Sequence, residues 1–338
     1  HFVAISILSA YLFSSPVFCV SLPRLRQVPC TRESNRERAI HMPHSAELLE
    51  EGRRYEGHGV LDRALENYVR AAEEAADPSI VAEALTHQSR VHRCRSEWDS
   101  ALQTARRAQE IAVTAKLDGP LVEATIAEGN VMICRGDFPE ALAIFRRLAD
   151  KSTDARVRGI ALQNIGSILW QQGQLGAAER ALSESLGWFQ RAGYALGEAI
   201  ALNNHGRITL ERGNLELAKQ LLTQARQAAR AIEDAELTAL VALNYAAALD
   251  AGGDHRGAIQ EASTALGYFR ASGNRWREIE CLRLIGTVSE RLGDRADAIR
   301  CHEHALNVAE QIGARHDIRV IREFLSRVGR PVTTVISQ

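Results

Sequence analysis

At 338 residues the chain suits two or three ordinary domains or one elongated array, and 46% hydrophobic with 25% charged residues is the composition of a soluble protein. A formal net charge of -1 excludes a whole-chain basic field of the kind that holds nucleic acid, and there is no acidic tail. Six cysteines, Cys19, Cys30, Cys94, Cys134, Cys281 and Cys301, show no C-x-x-C spacing, and four of them fall in helical patterns. They read as mostly small buried hydrophobes rather than a disulfide frame or a zinc site.

The first 41 residues differ in composition from everything after residue 45. Three readings fit "HFVAISILSAYLFSSPVFCV". It is a secretory signal without a basic n-region, or a membrane anchor over residues 2–20 weakened by Pro16. The third reading, which we take as the expectation, is translated upstream sequence ahead of a working chain that starts near Met42. That start implies a cytoplasmic protein; either alternative implies export or anchoring.

From residue 45 to 312 a repeat dominates. "GIALQNIGSILWQQGQLGAA", "EAIALNNHGRITLERGNLELA", "VALNYAAALDAGGDHRGA" and "CLRLIGTVSERLGDRADA" align on Ala178, Ala218, Ala258 and Ala298, each 40 residues apart. Upstream the same position is Ala141, Ala101 and Ala64, at steps of 37, 40 and 37, giving seven units. Each unit runs a helical apolar pattern to a glycine (Gly136, Gly173, Gly213, Gly253, Gly293) suited to the left-handed turn that ends a helix. Asp137, Asn214, Asp254 and Asp294 follow as caps for the next helix. Seven residues before each glycine lies a small residue: Gly129, Gly166, Gly206, Ala246 or Gly286. A mid-helix glycine costs about 1 kcal/mol relative to alanine, so close contact with the partner helix, at its alanine, is the expected compensation. The second unit carries Ser89 and Ser96 in place of the glycines. In the sixth, Ala262 stands where Tyr68, Phe145, Leu182 and Leu222 are bulky.

This small–Gly–Ala spacing, with a bulky residue four places after the alanine, resembles the tetratricopeptide repeat over most of the chain. "ALNNHG" and "ALQNIG" are similar to its long-repeat group, which includes kinesin light chains, the Pins family and the arms of many bacterial regulators. The resemblance implies an all-α, right-handed superhelical α-solenoid of about seven helix-turn-helix units. We place the solenoid at 42–330, a hydrophobic or irregular segment at 1–41 and a tail at 331–338. "HDIRVIREFLSRVG", with Ile318, Ile321, Phe324, Leu325 and Val328 apolar, reads as a capping helix at 315–329.

In such a fold the residues three before, two before and one after the small residue face a concave groove. Those positions hold His87, Arg90, Asn130, Gln163, Asn164, Ser167, Asn203, Asn204, Arg207, Asn244 and Arg283. Asn164, Asn204 and Asn244 recur at a step of 40. Their amides suit either the backbone of an extended peptide or hydrogen bonds between neighbouring repeats. By the resemblance, Arg90, Arg93, Arg207 and Arg283 favour an acidic or carboxylate-bearing partner. Trp170 is expected to pack against the next repeat.

No catalytic constellation is legible, and no cofactor is implied. "CHEH" (301–304) puts Cys301 and His304 on one helix face and His302 on another, a packed or solvated arrangement rather than a metal site. "EGHGVL" near residue 57 lacks the spacing of a nucleotide loop. The functional expectation is a protein-interaction scaffold or adaptor that binds an extended segment of a partner. The alternative is a ligand- or peptide-sensing arm of a bacterial signalling or transcription-control system.

Overall fold

A computed structural model describes residues 44–328 of the chain. The readings of residues 1–41 and of the tail at 331–338 lie outside the described residues. Among the described residues there are fifteen α-helices and no strand, and no helix is long and apolar enough to cross a membrane. They form two compact units, 44–151 and 152–328.

The first unit contains three helix pairs: α1 (His44–Gly57) with α2 (Leu61–Glu74), α3 (Pro78–Cys94) with α4 (Trp98–Thr114), and α5 (Asp118–Arg135) with α6 (Phe138–Lys151). The second contains four pairs and a final helix. The pairs are α7 (Ala155–Gln171) with α8 (Leu175–Ala192), α9 (Ala195–Glu211) with α10 (Leu215–Ala231), α11 (Ala235–Ala251) with α12 (His255–Ala271), and α13 (Arg275–Arg291) with α14 (Arg295–Gln311); α15 (Arg315–Arg327) follows. Within each unit every helix packs on its chain neighbours, and the first helices of successive pairs also touch, α1 on α3 or α9 on α11 for example. Each unit is therefore a stack of helix hairpins, an all-α solenoid.

The seven aligned alanines, from Ala64 to Ala298, are all fully buried. The small residue does mark the closest approach of the two helices, but its neighbour differs from the expectation. A Cβ on Gly206 would lie 2.7 Å from Leu222 Cγ, and one on Gly129 would lie 2.6 Å from Phe145 Cζ. The bulky side chain four residues after the alanine thus lies over the glycine. The alanine itself contributes its carbonyl oxygen, as Ala178 does 3.3 Å from the same point on Gly166. The same lock closes the first pair, where Tyr68 covers Gly52. In the sixth repeat the volumes are redistributed: Ala246 and Ala262 are both fully buried in one core. In the second, Ser89 faces α4 through a hydrogen bond of 2.7 Å to the Ala101 carbonyl.

The turn glycines take the left-handed conformation, with φ from 75° to 88° at Gly136, Gly173, Gly213, Gly253 and Gly293. Ser96 holds the same conformation at φ 61° despite its side chain, and "EGHGVL" is the matching turn of the first repeat, with Gly59 at φ 74°. Asn214, Asp254 and Asp294 cap the following helices by accepting from the backbone N–H three residues on. Asp137 instead pairs with Arg135 at 3.0 Å. The two steps of 37 have a simple origin: α2 and α6 are 14 residues long, where the other second helices have 17 or 18.

In the seventh repeat His302 is the bulky residue. Its ring covers Gly286, stacks on Phe324 with centroids 3.7 Å apart, and is 1% exposed. Through this stack, and with Ile321, Leu325 and Val328 also buried, α15 closes the end of the second unit's core. Ile318 is partly buried against the same cluster.

Two predictions follow from this packing. Gly206→Ala and Leu222→Ala should each destabilise, by about 1–3 and 2–5 kcal/mol respectively. The double variant recreates the Ala246–Ala262 arrangement and should lose clearly less than the sum, measured by urea unfolding.

The second concerns His302. Burial first, then the charges of Arg283 and Arg327, push it down to about 3 from 6.5. Its neutral ring supports the fold fully above about 6.5, and that contribution drains away as pH falls toward 3, because the unfolded chain takes up the proton first. His302→Leu should flatten that part of the stability profile. It should also add about 1–3 kcal/mol near neutral pH, since neither buried ring nitrogen has a hydrogen-bond partner among the described residues.

Candidate functional site

In the first unit the residues expected on the groove are knitted into a charged cluster centred on Glu56, near the end of α1. Arg90 reaches it from α3 through Nε and Nη2, the latter at 2.6 Å, and the Tyr68 hydroxyl donates to it at 2.7 Å. His87 approaches the same carboxylate at 3.4 Å and stacks on Tyr68 with centroids 4.7 Å apart. Arg53 pairs with Glu50 and Glu83 beside it. Burial alone would raise the Glu56 carboxyl; the His87 hydrogen bond and the Arg90 guanidinium outweigh it and hold the group well below the carboxylate range. Burial, then the Arg90 charge, pushes His87 down to about 4. Arg93 is buried, with Nη1 3.9 Å from the Cys134 sulfur, and Asn130 is half-buried on α5.

In the second unit α9 is enclosed along most of its length: every residue from Ala199 to Leu210 is buried. Asn203, 1% exposed, is the hub of the amides. Its Oδ1 accepts from Asn244 Nδ2 at 2.8 Å, across to α11, and its Nδ2 donates to Asn204 Oδ1 at 3.3 Å. The alternation of donor and acceptor fixes the orientation of all three amides and leaves Asn204 Nδ2 as the terminal donor. That atom is buried and has no hydrogen-bond partner among the described residues. One repeat earlier, Gln163 is buried and its Oε1 likewise has none. Asn164 and Ser167 turn back to their own helix, donating to the Ile160 and Gln163 carbonyls. Asn164, Asn204 and Asn244 are therefore not three equivalent rungs.

Arg207 is 5% exposed, lies over Trp170 with its guanidinium carbon 4.5 Å from the ring centroid, and places Nε 3.6 Å from Glu211 Oε1. Trp170 donates to the other Glu211 oxygen at 2.6 Å. The three residues tie α7 to α9, as expected for Trp170. Burial raises the Glu211 carboxyl, with Arg207 opposing. Arg283, 3% exposed, is bonded to Asp317 and anchors α15 to α13. Three of the four arginines expected to meet a partner's carboxylate thus face carboxylates of the chain itself: Glu56, Glu211 and Asp317.

"CHEH" divides as its helix geometry requires. His302 is packed, His304 lies 3.7 Å from Glu278 and 3.0 Å from Arg270, and among the described residues no group of three or more His, Cys, Asp or Glu could hold a metal.

The buried alanine and the left-handed turn recur through all seven pairs, the glycine beneath a bulky side chain through five of them, and the tetratricopeptide-repeat family model matches residues 157–231. Residues 157–231 therefore carry the tetratricopeptide-repeat pattern. Several solved solenoids are similar to the chain. A Rap protein complexed with Competence and Sporulation Factor is 14% identical, with a TM-score of 0.64 over 80% of this chain and 75% of that one. The Rap conjugation gene regulator of the plasmid pLS20, in complex with the Phr* peptide, is 15% identical, with a TM-score of 0.64 over 89% and 83%. A tetratricopeptide repeat protein from Parabacteroides merdae is 14% identical, with a TM-score of 0.52 over 85% and 99%. At such identities the likeness is one of fold. No curated protein matches the chain.

Glu56, Glu211 and Asp317 are the residues of these clusters that the sequence reading missed. Only Glu211 had a local signal, its spacing of four from Arg207 on one helix. Because Arg207 is buried rather than presented, charge reversal there tests the fold. Arg207→Glu sets two carboxylates together and removes the cation over Trp170. It should cost about 3–5 kcal/mol, or roughly 10 °C in melting temperature by calorimetry.

Proposed function

We propose that the second unit of this chain is an interaction module that holds an extended peptide segment of a protein partner. The segment lies along the amide face built by Gln163, Asn164, Ser167, Asn203, Asn204 and Asn244, with Arg207 and Glu211 at its end. The observation that carries this reading is the pair of buried, unanswered amide atoms: Gln163 Oε1, an acceptor, and Asn204 Nδ2, a donor. A buried polar atom left unpaired costs about 1–3 kcal/mol. An extended backbone offers an N–H and a C=O at every residue, the complement of these two atoms, whatever its side chains. Affinity then comes from the backbone, and selectivity from the residues along the rim.

The charge of the partner is open to test from the same face. Arg207 and Glu211 are buried and matched to one another, so this pair selects neither sign of ligand charge. An acidic segment remains the expectation for the first unit, where Arg90 and Arg93 lie. A second reading, a peptide-sensing regulatory arm, is favoured by the likeness to the Phr*-bound conjugation gene regulator, since the chain spans 83% of that protein.

The test begins with a random peptide display library panned against the full chain. The selected peptide is then titrated calorimetrically into the parent and into Gln163→Met, a change that keeps the volume and removes the unanswered acceptor. Melting temperature should hold or rise, while affinity falls roughly five-fold, the equivalent of about 1 kcal/mol. Unaltered affinity in Gln163→Met and in Asn204→Asp, with both folded, would place the ligand elsewhere.

A further inference from the structure

The cysteines are not uniformly the buried hydrophobes their spacing suggested. Cys281 is fully buried, but Cys94 is exposed and Cys134 half-exposed, and all are free thiols. Cys94 ends α3 and Cys134 lies in the last turn of α5, 40 residues on, at the same register of successive repeats. These two helices pack directly against one another. Arg93, the residue before Cys94, crosses between them and sets Nη1 3.9 Å from the Cys134 sulfur. Desolvation chiefly raises the Cys94 thiol, with Glu56 and Cys134 adding to it and Arg93 and Arg90 opposing.

We propose that Cys94 and Cys134 are a redox-sensitive dithiol, oxidised by a hydroperoxide to a disulfide that ties α3 to α5. A cation beside a sulfur favours the thiolate, the form that attacks, so the arrangement assigns attack to Cys134 and resolution to Cys94. The Cys134 thiolate takes the terminal oxygen of the hydroperoxide, and the O–O bond breaks. The departing alkoxide, or hydroxide from hydrogen peroxide, picks up a proton and leaves as alcohol or water. The sulfur, oxidised by two electrons, becomes a sulfenic acid. The Cys94 sulfur then attacks it, the S–S bond forms, and the hydroxyl leaves with the Cys94 proton as water. The bridge joins the helices that carry His87, Arg90, Arg93 and Asn130, so oxidation acts on that face as well as on the stability of the unit.

The experiment treats the full chain with hydrogen peroxide under native conditions, blocks residual thiols by alkylation and maps the digest without reduction. The expected product is one peptide pair joining Cys94 to Cys134, lighter by two hydrogen atoms and reversed by dithiothreitol. The melting temperature should rise by several degrees, as closing a loop of this length does. In Cys94→Ser, with the fold checked by circular dichroism, Cys134 should accumulate as a sulfenic acid trapped by dimedone. Arg93→Gln should slow the bridge several-fold near neutral pH and little in alkali. Both thiols remaining open to alkylation, or either pairing with Cys19, Cys30 or a second molecule, would overturn the proposal.

Discussion

The structure depends on one contact, repeated with variations in every hairpin: a small residue in the first helix lying under the side chain four places after a buried alanine in the second. At Gly206 the distance from a notional Cβ to Leu222 is 2.7 Å, so there is room for hydrogen and nothing more. Glycine in mid-helix is unfavourable by about 1 kcal/mol, and the packing it permits outweighs that. The seven versions show what is fixed and what is free. Register is kept, whereas the residue filling the space is a tyrosine, a phenylalanine, a leucine, an alanine with its partner enlarged, or a neutral histidine.

Because the second helices supply this lock, the inner faces of the first helices are left to other chemistry. The two units use that freedom differently. In the first, Glu56 gathers a tyrosine, a histidine and an arginine into a satisfied cluster. In the second, a directional run of amides from Asn244 through Asn203 ends on a donor, Asn204 Nδ2, with no acceptor among the described residues. A satisfied cluster positions helices, and an unsatisfied one invites a ligand.

The alanines, turn glycines and small residues were legible because each sets a local event at a fixed spacing, and the resemblance they carry led to the fold. The lengths of α2 and α6 were not read, although the steps of 37 recorded them. The asparagines misled in a particular way. A step of 40 suggested three like amides, yet neighbouring helices are offset, so the residue three before the small one in α9 meets the residue two before it in α11. The arginines were misjudged for a related reason. Arg90 and Glu56 are 34 residues apart, as are Arg283 and Asp317, so their partners lie a repeat away and no local pattern announces them.

The most direct measurement is hydrogen–deuterium exchange of the full chain with and without a saturating selected peptide. Protection concentrated in α7, α9 and α11, peaking around Gln163 and Asn203–Asn204, is the predicted result. Protection confined to the second helices α8, α10 and α12, with those three first helices unchanged, would contradict a peptide held on the amide face.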